Sequence, residues 1–135
     1  MDGEAAINPL VSRKQQQGVL RHIEQARAEG ARVVIGGDEV AGEGFYVRPT
    51  ILADIDHGMA VAREEVFGPV LGVMAFDDED AVIELANDNR YGLAASLWTN
   101  DLGKAMNLVP RIEAGTVWVN AHVLLDPAMP FGGVK

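Results

Sequence analysis

From residue 70 onward the chain alternates apolar runs with polar segments of helical character, and this alternation constrains its fold more than any other feature. VLGVMAF is a nearly continuous apolar run, DDEDAVIELANDN reads as a helix capped by Asp77 or Asp78, and YGLAASLWT is a second apolar run. TNDLGKAMNLVPRIEAG reads as another helix, with Thr99 or Asn100 as cap and Gly115 as stop, before TVWVNA as a third strand. Pro110 lies inside that last helix and should kink it or loosen its final turns. Apolar strands separated by helices belong to a parallel sheet covered by helices, with right-handed crossovers. The fold class is therefore α/β: an open, mainly parallel βαβαβ sheet with flanking helices.

The first half is less regular. MDGEAAINPL is small and polar and ends at Asn8-Pro9, a loop signal. Ser12 and Gln15 stand at capping-box spacing, and Val19, Leu20, Ile23 and Ala26 fall on one helical face. The spacing predicts an amphipathic helix over 13–29, stopped by Gly30. ARVVIGG is a short strand ended by Gly36-Gly37, DEVAGEG a loop, and GFYVRPTIL a second extended piece broken by Pro49. DIDHGMAVAREE has no clean period and reads as loop with at most a helical turn. The tail, HVLLDPAMPFGGVK, is a Pro/Gly-rich loop that stops without helix, strand or charged end, and reads as an interruption.

Composition narrows the function. A length of 135 residues fits one domain, 1–135, with a single moderate core. The net charge of −9 argues against a nucleic-acid or anionic-membrane partner, since both need a basic surface. With no apolar run long enough to span a bilayer and no basic-then-apolar start, the expectation is a cytoplasmic protein. Cysteine is absent, so these residues offer neither disulfides nor thiolate chemistry.

Most chemical motifs are missing. His22, His57 and His122 are not paired at metal-ligand spacing, and no metal site is expected. His22 reads as a helix-surface residue and His57 as a turn residue. GGDEVAGEG and FGGVK lack the spacing of phosphate-binding loops, and DDED at 77–80 is most simply a helix N-terminus.

Two constellations remain. In EEVFGPV, Phe67 precedes Gly68-Pro69 just before a strand; it is either a rigidly held site aromatic or the core residue of a tight loop. In WVNA…PFGG, Asn120 ends a buried-type strand, and Leu124, Leu125 and Phe131 in the following loop either line an apolar pocket or pin that loop to the core.

Taken together, EEVFGPV, ELANDNRYGLAASLWTND, AGTVWVN and PFGG resemble the aldehyde dehydrogenase superfamily, with matches from INPLVSRKQ to the last residue. INPLVSRK and WVNAHVLLDPAMPFGG further resemble its phenylacetaldehyde dehydrogenase branch. The family oxidises aldehydes to acids with NAD or NADP, using a cysteine thiolate and a glutamate base. The resemblance is to the C-terminal portion of the catalytic domain, downstream of both groups and without the Rossmann-like cofactor domain. It implies no catalytic residue here and an inactive piece that binds no cofactor tightly alone. Glu65 matches the glutamate that accepts hydrogen bonds from the nicotinamide ribose, and Phe67 the aromatic beside the nicotinamide. Glu64 has no comparable role and reads as solvated. Asn120 resembles an asparagine near the substrate tunnel, and Leu124, Leu125 and Phe131 match positions lining the aldehyde pocket. Their apolar character fits an aromatic or aliphatic aldehyde. Partners implied are that aldehyde, in the full enzyme, and further copies of the chain. The alternative reading is a stand-alone, non-enzymatic oligomerisation or binding module.

Overall fold

A computed structural model describes residues 7–135; the loop reading for residues 1–6 lies outside them. The chain forms two compact units, Met1–Ala75 and Phe76–Lys135.

In the first unit, helix α1 (Arg13–Ala28) starts where expected: Ser12 is extended, and its hydroxyl accepts from the Gln15 N–H at 3.2 Å. It stops at Gly30, whose φ of +109° lets the Ala31 N–H reach back to the Ala26 carbonyl at 2.8 Å. The buried face carries Gln16, Val19, Ile23 and Ala26. Gln16 is tolerated there because its amide donates to the Tyr46 carbonyl at 2.8 Å.

This face covers a three-stranded sheet ordered β1 (Arg32–Ile35), β2 (Thr50–Ala53), β3 (Val70–Gly72). Strands β1 and β2 are antiparallel, β2 and β3 parallel. Leu52 on the central strand is fully buried with Val19 and Ile23, each worth roughly 1.5–3 kcal/mol of transfer free energy. Thr50 is also buried, its hydroxyl accepting from the Gly37 N–H and donating to the Arg48 carbonyl. Between β2 and β3 the stretch without a clear period contains one short helix, α2 (Ala60–Arg63).

In the second unit, helix α3 (Glu79–Asn87) is capped by Asp78, which accepts from the Ala81 N–H at 2.7 Å. Acidic residues therefore do sit at a helix N-terminus here. Strands β4 (Ala94–Leu97) and β5 (Thr116–Val119) pair in parallel across helix α4 (Leu102–Leu108). The cap of α4 is Asp101 rather than Thr99 or Asn100, accepting from the Lys104 N–H at 3.1 Å. The Thr99 hydroxyl accepts instead from the Asp101 N–H at 3.1 Å, and its backbone is bonded to the Asn120 side chain. Pro110 ends α4 early, and Val109–Arg111 tightens into a 3-10 turn.

Ion pairs join α3 to α4 and to the 3-10 turn after it: Lys104 to Glu79, and Arg111 to Asp80 at 2.7 Å. The hydrogen bond and charge of Glu79 hold the Lys104 ammonium above its ordinary pKa. Exposed pairs of this kind add little stability.

The α/β class is as expected, but the strands fall into two sheets rather than one series. The apolar piece after Pro49, outside the βαβαβ count, takes β3 as its parallel neighbour. Among the described residues, no helix is long and apolar enough to cross a membrane.

The tail is packed rather than loose. A Cβ at Gly115 would stand 1.7 Å from the Gly132 carbonyl oxygen, so the tail backbone lies directly on the start of β5. Lys135 reaches the Asn87 and Asn89 carbonyls and the Glu113 carboxylate.

Two substitutions test this packing. Ile23→Ala should lower unfolding free energy by about 2 to 5 kcal/mol in chemical denaturation, a cavity cost at a fully buried site. Gly115→Ala should detach the tail, so that limited proteolysis cuts within residues 126–135 far faster than in the parent chain.

Candidate functional site

The turn between α2 and β3 carries the first candidate groups. Its backbone is held at both ends. The Pro69 carbonyl accepts from the Thr50 N–H at 2.8 Å, and the Phe67 carbonyl accepts from the Gln15 side-chain amide at 2.6 Å. Gly68 sits so close to α1 that an added Cβ would lie 2.4 Å from a Val19 methyl. Packed between that contact and Pro69, Phe67 adopts a φ of +50°, a left-handed conformation that costs about 1 to 3 kcal/mol for a side chain of this size.

The strain has a visible result. Phe67 is 68% exposed, so the reading of it as a core residue of a tight loop does not hold. Glu65 is exposed beside it, and its carboxylate makes no hydrogen bond or ion pair among the described residues. An unpaired acceptor next to a fixed aromatic face can take vicinal hydroxyls and a flat ring together. Glu64 is not merely solvated: it is bonded to His22 Nε2 at 3.3 Å.

The second candidate group lies in the other unit, beyond β5. Here Asn120 also has a positive φ, +53°. Its amide is engaged at both ends within the protein: Oδ1 accepts from the Thr99 N–H at 2.9 Å and Nδ2 donates to the Thr99 carbonyl at 2.8 Å. The side chain thus extends the β4–β5 ladder by one rung, in the manner of a backbone residue. It does not line the neighbouring cleft.

Leu124, Leu125 and Phe131 do line it, together with Trp118 and Met129, around a volume of about 490 Å³. All three remain substantially exposed, so they are not residues that simply bury the loop. Trp118, which the sequence reading passed over, forms the wall. Its indole N–H donates to the Leu124 carbonyl at 2.8 Å, and its ring lies 6.4 Å from Phe131 and 5.9 Å from His122. The available signal was its polar handle: a strand tryptophan needs a partner for its N–H, and the next loop supplies one. His122 in turn bonds Ser96 across the sheet at 2.8 Å. The loop also holds Val123 at a φ of +55°, unusual for a β-branched residue.

Comparison with known proteins follows the same segments. All of residues 1–135 match the aldehyde dehydrogenase family. A betaine aldehyde dehydrogenase from Rhizobium etli is 49% identical over 138 residues, covering 100% of this chain and 28% of that enzyme. The NAD+ complex of an aldehyde dehydrogenase from Bacillus cereus superposes with a TM-score of 0.96 at 44% identity, covering 100% of this chain and 28% of that one. An indole-3-acetaldehyde dehydrogenase from P. syringae, solved with NAD+ and IAA, gives 0.91 at 44% identity over 94% of this chain and 26% of its own. The chain thus spans little more than a quarter of the length of the relatives it matches, and it belongs to the aldehyde dehydrogenase family.

Proposed function

We propose that these residues form the cofactor-turn and aldehyde-wall portion of an NAD-dependent aldehyde dehydrogenase. Glu65 accepts hydrogen bonds from the nicotinamide ribose, and Phe67 offers its face to the nicotinamide. Leu124, Leu125 and Phe131 form the apolar side of the aldehyde pocket, with Asn120 holding their loop to β4 as a positioning residue. The single observation that carries this reading is the Phe67 ring, held out in solvent by a left-handed backbone beside an unpaired carboxylate.

The chemistry is divided. With no cysteine among its 135 residues, the chain has no thiolate to attack a carbonyl. In this reading a segment outside it supplies the nucleophile, the base and the remaining cofactor contacts, and the isolated chain oxidises no aldehyde. Relatives of similar likeness are named for unlike aldehydes, betaine aldehyde and indole-3-acetaldehyde. Trp118, Leu124 and Phe131 present aromatic and aliphatic carbon to the cleft, which suits an aromatic or aliphatic aldehyde. An aromatic or aliphatic aldehyde is the substrate class we assign.

We also assign homo-oligomeric association. On the sheet face away from α1, paired Ile35, Ile51 and Leu71 make an apolar stripe across all three strands, with Ile35 and Leu71 both more than half exposed. Such a stripe favours contact with another copy.

Nicotinamide mononucleotide should bind the chain weakly, as followed by chemical-shift changes at residues 64–68. Phe67→Ala should weaken it about twofold to tenfold, and Glu65→Gln about tenfold to a hundredfold. Binding unaffected by both substitutions would remove the cofactor reading. Light scattering coupled to size exclusion should give a mass above 14.5 kDa, falling toward it in Leu71→Lys; a concentration-independent monomer would remove the association.

A further inference from the structure

His22 lies at the middle of a contact no motif announces. On α1, Gln15, Val19 and His22 stand at i, i+4 and i+7, one stripe of the helix, and each meets the same short turn. Gln15 donates to the Phe67 carbonyl, Val19 packs on Gly68, and His22 bonds Glu64.

The imidazole is used at both nitrogens. Nδ1 lies 3.0 Å from the Gly18 carbonyl oxygen, which can only accept, so Nδ1 carries a hydrogen. Nε2 lies 3.3 Å from a Glu64 carboxylate oxygen, also an acceptor. One neutral tautomer cannot serve both. Only the imidazolium donates at both ends, while the neutral ring with Nδ1–H would turn a lone pair toward a carboxylate.

We propose that His22 is a positioning residue, fastening the Glu64–Gly68 turn to α1 when protonated and releasing its Glu64 end when neutral. The bearing of this latch on cofactor binding rests on the reading of Glu65 and Phe67 above. Arg21 apart, the other charged groups named nearby have their own partners. On α1, Arg27 pairs with Glu24, and Glu29 accepts from the Ala60 N–H at the start of α2. Arg63, at the end of α2, is bonded to His57, and Arg21 sits one residue before the ring on α1. Glu64 is the carboxylate bonded to the imidazole among the described residues. The attachment is present while the imidazole is protonated and its Glu64 end weakens when the ring is neutral. Gln15 and Val19 hold the Phe67–Gly68 end at any pH, so the turn loosens at one end only.

Isotope-labelled NMR of the 135-residue chain tests this directly. Between about pH 5 and about pH 8, the amide signals of residues 64–68 should move in step with the His22 ring signals. Glu64→Gln, a change at an exposed side chain, should remove most of that movement while the ring still titrates. His22→Phe should abolish it, and Gln15→Ala should leave it in place. A ring that titrates while the turn amides stay still overturns the latch, as does movement that survives Glu64→Gln.

Nicotinamide mononucleotide then separates the two ideas. Weakening of its binding by about twofold to tenfold from the low to the high end of that range supports the latch acting on the cofactor turn. Coupled titration with no mononucleotide binding at any pH supports the latch and overturns the cofactor reading instead.

Discussion

Much of the first unit depends on the contact between Val19 and Gly68. A helix face that buries Val19 and Ile23 on Leu52 brings the backbone of the 64–68 turn within touching distance, and only a residue without a side chain fits there. Pro69 fixes the chain on the other side and hands it to β2 through Thr50. Between these two constraints the backbone has little choice but to turn left-handed at Phe67 and present its ring outward. The core therefore does more than stabilise the unit: its closeness sets the direction in which one aromatic points. This is the usual relation between a rigid scaffold and a displayed group, achieved here within one helix and one turn.

The parts legible in the sequence were those written in local chemistry. The Ser12 cap, most of the apolar face of α1, Gly30 and the acidic start of α3 each act within a few residues and appear as read, while the Gln15 side chain leaves the cap for the Phe67 carbonyl. Pairing partners were harder. β2 is four residues long, and nothing local tells it to take β3 from the regular series that follows. At the start of α4, Asn120, far along the chain, holds the Thr99 backbone, and Asp101 supplies the cap. Glu64 looked solvated because its partner is on α1, forty-two positions away. In each case the missing information was a tertiary contact.

The candidate site was legible to a similar degree. Leu124, Leu125 and Phe131 could be placed together because all three lie in one loop. Asn120 reads as a pocket residue, yet its amide faces inward to the ladder rather than toward the cleft. A polar residue at the carboxyl end of a strand announces an unusual backbone requirement as readily as a ligand contact. Trp118 was overlooked for the converse reason: a large side chain on an apolar strand looks like core until its N–H is traced to the Leu124 carbonyl. The family match and the geometry together make the wall of this cleft a tryptophan-backed loop.

The pair of hydrogen bonds between Asn120 and Thr99 has a chemical consequence. Aspartate has nearly the same size and shape, so loss of the amide nitrogen would leave the strand ends unchanged in outline. One carboxylate oxygen could still accept from the Thr99 N–H, but the other would face the Thr99 carbonyl, oxygen against oxygen. Spontaneous hydrolysis of this single amide during ageing would thus unzip the last rung of the β4–β5 ladder from within. Damage of one atomic mass unit would reach the loop that carries Leu124 and Leu125 without touching any residue of the cleft.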